Sequence, residues 1–388
     1  MGIFDLFRRN RAERGFQKLQ EIGLSEGATK SGQFVTESSC LAIPAVYACT
    51  RILAESISSM PLVLFRQLPN GDRTRAVEHP LNYIMHRKPN PLQTSLEFRE
   101  YLVACICLRG NAYGYIERDH GEIIAVWPLH PTRMQVRLLE GNVLEYVYSD
   151  KGSTRRFSAD EILHLKGLST DGVIGLSPLS TLRETFGSSQ ALQEYSSKFF
   201  SNAARPAGVL SHPAKLGDEA YNRLKKSWNK RHGGSENTGS TVILEEGMTW
   251  QSISLTNEDA QMLESRKFTL EEIARCYRIP PHLVGHLDKM SYNNIEQLAS
   301  EFLTLTLTPW LCRFEQRLDA QLLTEQERTE GYYFEHISGG LLRGGTLQRY
   351  QAYEIALRSG FLSRNEIRSL EGYNQVSGGD ALGQVGGT

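Results

Sequence analysis

Residues 283–311, LVGHLDKMSYNNIEQLASEFLTLTLTPWL, constrain this chain most: a short polar loop breaks directly into a long helix that carries a proline. The preceding RIPP at 278–281 ends a helical pattern, because proline disfavours the helical region for the residue before it. Asn293 reads as an N-cap, with Glu296 three residues on as its capping-box partner. Ile295, Leu298, Phe302 and Leu305 then recur at steps of three and four, the apolar stripe of a buried helix. The stripe runs through Pro309, which has no N–H to donate, so a kink is expected there. A loop held between two long helices, one of them kinked, points to a mechanical element more than a chemical site. The same pattern also fits an ordinary helical hairpin in a core.

At 388 residues the chain has room for two to three domains and a sizeable core. The 40% hydrophobic and 22% charged content is that of a soluble globular protein, and no run of eighteen apolar residues is long enough to span a membrane. The N-terminal MGIFDLFRRNRAER joins an apolar patch (Ile3, Phe4, Leu6, Phe7) to arginines. It lacks the long apolar core and cleavage site of a signal peptide, and Leu6 stands where myristoylation wants Ser or Thr. A docking helix or a disordered tail is expected. Lys and Arg total 43 against 44 Asp and Glu, a net charge of −1. A protein that grips DNA through many phosphates carries a basic excess, so nucleic-acid contact here should be weak and local. The six cysteines lie scattered in apolar stretches, as in a reducing compartment. Cys105 and Cys107 sit two apart in a helical pattern and so point to nearly opposite sides, which argues against a metal site.

Helices are expected at 42–58, with Val46, Cys49, Leu53 and Ile57 on one face, and at 94–109, between a Thr94/Glu97 capping box and Gly110. PLVLFRQ reads as a strand closed by a type I′ turn at Asn70-Gly71. From 111 to 167, NAYGYIER, IIAVWPL, MQVRLL, VLEYVYS and EILHLKG form an antiparallel β region with helices beside it, an α+β body. Ser177-Pro178 opens a helix running to about Ala203. Residues 204–257 interrupt the helical pattern with a small insert: a strand (AGVLSH), a basic helix, a Gly/Ser-rich turn and a strand pair (TVILEE, TWQSIS). A second long helix starts near Thr256 and Asp259. The end of the chain holds a strand (YYFEHIS), a helix at 346–358, a shorter one from Ser363 with Glu366, and a flexible SGGDALGQVGGT.

No phosphate-binding loop, dinucleotide fingerprint, nucleophile elbow or zinc-protease helix occurs. The histidines are mostly isolated, several beside proline. A hydrolase would need an active site scattered over distant loops. Arg223, Lys225, Lys226, Lys230 and Arg231 form the one charge cluster of note, either a docking face for an acidic partner or DNA phosphate, or a solvated helix face.

Taken in order, the segments resemble the portal proteins of long-tailed double-stranded-DNA bacteriophages. The likeness runs from about 42 to 372 through AVYACTRILAESISSMPLVLF, HPLNYIMHRKPNP, SLEFREYLVACICLRGNAYGYIERD, VWPLHPTRMQV, EILHLKGLSTDGVIGLSPL and EYSSKFFSNAARPAGVL. It continues with LESRKFTLEEIARCYRIPPHLVG, SYNNIEQ, LTPWLCRFEQRL and SRNEIRSLEGY. The resemblance implies a non-enzymatic ring of about twelve subunits at one capsid vertex, around a channel for DNA packaging and ejection. Expected partners are double-stranded DNA, the terminase large subunit, a head–tail connector and the major capsid protein, with no cofactor and no membrane. The setting is the virion, and the host cytoplasm during assembly. Carried over, 1–35 is an N-terminal arm, 36–176 an α+β wing, 177–203 and 258–282 stem helices, and 204–257 an α/β clip. Residues 283–294 are a tunnel loop, 295–345 a kinked wing helix and return strand, and 346–388 a short helical crown and tail. His286, Asp288, Lys289, Ser291, Tyr292 and Asn293 would then lie nearest the DNA, and the five basic insert residues at the motor and connector docking face. Gly344-Gly345 departs from relatives that carry an acidic residue after LLRG, which removes an expected cap or ion pair at the 346–358 helix. Two rival readings are the scattered hydrolase and a membrane-associated ring using the apolar N-terminal arm.

Overall fold

The computed structural model describes residues 27–201, 208–211, 217, 219, 249–252, 257–285, 298, 300–337, 346–371 and 373–382. The chain divides into two compact units, Met1–Gly187 with Glu271–Thr388, and Ser188–Leu270. The second contains an antiparallel pair, Gly208–Ser211 with Thr249–Ser252, and most of the helices Arg183–Ser201 and Asn257–Cys276.

The first unit grows from the helix Pro44–Ser59, whose Val46, Cys49, Leu53 and Ile57 are buried as their spacing predicts. It packs on the helix Ser95–Arg109, which starts at the predicted Thr94/Glu97 capping box. That helix ends at Gly110, in left-handed conformation (φ 73°), where an added Cβ would lie 1.9 Å from the Leu176 carbonyl oxygen. Between the two helices Arg99 is buried without a carboxylate. It donates instead to the Ser58 and Met60 carbonyls, both at 2.7 Å, at the end of the first helix. Those carbonyls are orphaned acceptors at the negative end of the helix dipole, which suits a cation. Burial lowers the Arg99 pKa to about 10, so the side chain stays charged at neutral pH.

Three three-stranded antiparallel sheets and a short antiparallel pair, Gly27–Ala28 with Phe34–Val35, complete the unit. One has the order Arg73–Arg75, Leu62–Gln67, Tyr332–His336; another Glu122–Leu129, Asn111–Asp119, Ile162–Lys166; the third Met134–Leu138, Leu144–Asp150, Ser153–Phe157. The expected β region is thus split, and Ser153–Phe157 is a strand whose almost wholly exposed residues give no apolar alternation to read. The hairpin after Gln67 is present, but its turn is not type I′. Gly71 alone has positive φ (89°), and Asn70 serves through its side chain, accepting from the Asp72 N–H at 3.1 Å. The helix expected from Ser177 is interrupted at Leu182, whose φ of −103° and ψ of 18° leave the helical region. Pro178–Thr181 and Arg183–Ser201 are therefore separate segments.

The helix Thr308–Leu322 bridges two of the sheets. Its Leu311, Phe314, Leu318 and Leu322 enter the core. Its carboxylates Glu315 and Asp319 accept from the His336 N–H at 2.8 Å and the Phe334 N–H at 2.7 Å, along the free edge of the strand Tyr332–His336. Residues four apart on a helix rise about 6 Å and residues two apart on a strand about 6.6 Å, so the two ladders match. On another sheet Gln321 behaves like a neighbouring peptide group. Its Oε1 accepts from the His164 N–H at 2.9 Å and its Nε2 donates to the Ile162 carbonyl at 2.7 Å. Arg328 closes the helix C-terminus, donating to the Asp319, Ala320 and Leu323 carbonyls at 3.1 Å each.

The expected flexible tail is partly tied down. Asn365 on the helix Arg364–Leu370 donates to the Val376 carbonyl at 3.0 Å and Asp380 Oδ1 at 2.9 Å, and accepts from the Val376 N–H at 2.8 Å.

Burial pushes the Asp319 carboxyl up to about 6 from its ordinary 3.8. Above pH 6 the folded state therefore carries a disfavoured charge, a cost relieved as pH falls towards 4. Asp319→Asn keeps an acceptor for Phe334. After solvent screening is discounted, it should add about 1 kcal/mol above pH 6 and nothing near pH 4, read by denaturant titration at both values.

The buried His164 has the opposite sign, its pKa lowered by burial, then by Lys166 and Arg317, to about 3. Below pH 6.5 the unfolded chain takes up a proton that the folded state refuses, so stability falls by up to about 1.4 kcal/mol per pH unit from this group. His164→Gln should lower stability at pH 7 by about 2 kcal/mol and flatten the loss between pH 6.5 and 5, measured by the same titration.

Candidate functional site: the arms of the 286–297 segment

His286, Asp288, Lys289, Ser291, Tyr292 and Asn293 lie outside the described residues, as do the capping pair Asn293/Glu296 and the basic group Arg223, Lys225, Lys226, Lys230 and Arg231. Residues 1–26 of the N-terminal arm and Gly344-Gly345 do too. What the structure describes is how the chain enters and leaves the 286–297 segment.

The entering arm is the end of the helix Asn257–Cys276. It closes before the prolines: the Ile279 N–H donates to the Ala274 carbonyl at 2.9 Å and the Arg278 N–H to the Arg275 carbonyl at 3.0 Å. This is a Schellman closure, whose left-handed position glycine usually fills. Here Arg278 fills it at φ 56°, which costs about 1 kcal/mol for a residue with a Cβ. Ile279 is buried behind it, and Tyr277 donates from its hydroxyl to the Cys107 carbonyl at 3.1 Å. Burial raises the Tyr277 pKa well above its ordinary value, so the hydroxyl remains a donor. Pro281–Val284 form a 3₁₀ turn that ends at Gly285, again left-handed (φ 89°).

The leaving arm corrects the predicted stripe. Phe302 is buried, but Leu305 is 51% exposed, and Leu303, Thr306 and Leu307 face the core instead. The cause is a π-helical turn over Phe302–Leu307, where the Thr308 N–H reaches back five residues to the Leu303 carbonyl. One extra residue in that turn makes the buried step from Phe302 to Leu307 five instead of four. The stripe leading in is thereby brought into phase with Leu311, Phe314 and Leu318 leading out. Pro309 follows in the first turn of the helix Thr308–Leu322, where a missing N–H is tolerated, and the Thr308 hydroxyl donates to the Leu303 carbonyl at 2.9 Å.

The two arms meet. The rotated Thr306 donates from its hydroxyl to the Arg278 carbonyl at 2.6 Å, and both the 281–284 turn and the π turn pack against the helix Pro44–Ser59. The sequence reading missed Thr306 and Arg278. The TLTLT run around 306 gives no sign of which threonine faces inward until the π turn is known.

A scattered hydrolase would show itself in a perturbed histidine, and His164 is perturbed. Both of its ring nitrogens are engaged, Nδ1 with the Tyr146 hydroxyl at 3.2 Å and Nε2 with Asn111 Oδ1 at 3.0 Å, in a buried site. Asn111 Oδ1 also accepts from the Gly175 N–H at 2.8 Å. This is a satisfied core histidine with no free edge for a substrate. Burial pushes the Cys40, Cys49 and Cys105 thiols up to about 12, far from nucleophilic. No described helix is long and apolar enough to cross a membrane.

Comparison with known proteins gives the family. The chain is 31% identical over 351 residues to the portal protein of Enterobacteria phage HK97, covering 89% of this chain and 82% of that one. It is 27% identical over 367 residues to the probable portal protein of Streptomyces phage phiC31, covering 91% and 79%. Its fold is similar to a chain in the neck of an empty gene transfer agent particle computed with C6 symmetry. There the TM-score is 0.66 at 26% identity, covering 87% of this chain and 93% of that one. Residues 44–372 match the family described as phage portal protein, and the chain belongs to that family.

Proposed function

We propose that this protein is the portal subunit of a tailed phage or a related particle, closing with copies of itself into a ring of about twelve at one capsid vertex. DNA enters and leaves through the central channel, and the ring is the platform for the packaging motor (the terminase large subunit) and the head–tail connector. The family match over residues 44–372 carries this reading, and the similar chain's place in a particle neck supports it. So do exposed apolar side chains such as Leu92, Leu168 and Phe361, each 74% exposed or more, which an isolated subunit leaves in water and cyclic contacts would cover.

Within the ring, 36–176 and 295–345 form the wing towards the capsid, whose major protein is its neighbour, and 177–203 and 258–282 form the stem. Residues 204–257 form the clip and 346–388 the crown. His286, Asp288, Lys289, Ser291, Tyr292 and Asn293 face the DNA, Lys289 making brief phosphate contacts while its polar neighbours offer hydrogen bonds that break easily. Arg223, Lys225, Lys226, Lys230 and Arg231 meet an acidic face of the motor or connector. Pro309 marks the bend of the wing helix. A net charge of −1 suits a conduit that must not trap its cargo, and the protein works without catalysis of its own or a membrane.

Native mass spectrometry with negative-stain images of the same sample tests the assembly. Rings of about twelve subunits with a central hole are expected, and a subunit that stays monomeric even when co-expressed with capsid protein overturns the reading. Deleting 286–292 should leave the ring intact and reduce packaged DNA. Loss of the ring itself would make that loop structural.

A further inference from the structure

We propose that Thr306 is a positioning residue for DNA passage. Its hydroxyl, buried within the π turn, ties the leaving arm to the backbone of Arg278 on the entering arm and so sets the geometry from which the intervening segment starts. The inference rests on the portal reading of that segment.

Three observations carry it. The first is the bond itself, 2.6 Å between residues 28 apart in sequence, made by a threonine only 4% exposed. A threonine placed that deep needs an acceptor, and the Arg278 carbonyl is the one it has. The second is the conformation of the acceptor. Arg278 sits in left-handed backbone (φ 56°) that its side chain, which is exposed, does nothing to explain. That conformation turns the chain after the Ala274–Ile279 closure and leaves the carbonyl of Arg278 aimed at the other arm. The third is the π turn. Across it Leu305, which the stripe from Leu298 through Phe302 would place inward, is turned out, while Thr306 stays buried beside Leu307. The wide turn and the left-handed arginine are both unusual, and the hydrogen bond joins them.

The arms also have separate anchors. Tyr277 is held by the Cys107 carbonyl, and the leaving arm continues into the helix whose Glu315, Asp319 and Gln321 are bonded to two sheets. Losing the Thr306 hydroxyl should therefore loosen the junction without unfolding the unit.

The test uses the full-length protein co-expressed with its capsid, in four forms: Thr306→Val, Thr306→Ser, Arg278→Gly and the 286–292 deletion. Two quantities are read, hydrogen exchange of the amides at 279–285 and 302–308 in isolated rings, and DNA packaged per particle. Thr306→Val should form rings of normal mass, raise exchange at both arms about tenfold and lower packaged DNA severalfold, and Thr306→Ser should restore both. Arg278→Gly keeps the carbonyl and suits the left-handed backbone, so it should package normally. A defect there would show that the arginine side chain acts and would overturn the assignment to the backbone tie. Normal packaging by Thr306→Val while the deletion packages poorly also overturns it, with the portal reading intact. A harmless deletion sinks the role given to the segment, and the exchange data then judge the tie alone: unchanged exchange in Thr306→Val refutes it. Should Thr306→Val fail to assemble, Thr306→Ala removes the hydroxyl without filling its place and carries the same expectations.

Discussion

Two carboxylates one helical turn apart, Glu315 and Asp319, hold the first unit together where a sheet would otherwise end. The strand Tyr332–His336 presents its Phe334 and His336 N–H groups away from Leu62–Gln67, its partner strand among the described residues, and an edge of that kind invites a foreign strand. Here a helix takes the place of the next strand. On a different sheet the same helix repeats the device with an uncharged amide, Gln321, which offers one donor and one acceptor as a peptide would. The helix Thr308–Leu322 is thus fixed by its apolar stripe and by polar bonds to two sheets. It has little freedom to slide or rotate, since slippage in register would leave buried backbone donors unpaired.

That fixed helix decides what happens upstream. The apolar residues that precede it and those within it are out of phase by one, and the helix cannot turn to reconcile them because its Glu315, Asp319 and Gln321 are bonded. The phase difference is absorbed in the π turn at Phe302–Leu307, immediately before Pro309. Proline contributes by removing an N–H that the wider turn would otherwise have to place. A π turn between a locked helix and the segment nearest the proposed channel is what a one-residue insertion leaves behind when both flanks must keep their packing.

Much of the fold was legible because its signals are local. The capping boxes at Thr94/Glu97 and Ser363/Glu366, the Ser177-Pro178 start and the burial of Val46, Cys49, Leu53 and Ile57 each depend on residues within one or two turns. What escaped depends on distance along the chain. Leu305 reads as core from its spacing, and only the demands of residues further along, at Leu311 and beyond, turn it outward. Arg99 reads as an exposed charge in EFREYL, yet it is buried because the carbonyls of Ser58 and Met60, some forty residues away, lack partners. Asn365 looks like an ordinary first-turn residue, and only the returning tail makes it a buried anchor. The expected loop from 286 on and its capping pair lie outside the described residues, and of its arms Thr306 and Arg278 meet across 28 residues and carry no motif.

The charged and polar groups of the unit sort by the same logic. His164, Arg99 and Asp319 are all displaced from their ordinary protonation, and each faces backbone or another side chain of the fold. In an enzyme such displaced groups converge on a cleft where substrate reaches them. Here the free edges of His164 are already used, and the Arg99 donors are taken up by helix-terminal carbonyls. For these three groups the displacement comes first from burial within the fold. In the proposed portal ring such closures would matter more than a reactive group. The bond from Thr306 to the Arg278 carbonyl, joining the chain on either side of 286–297, is a closure of the same kind.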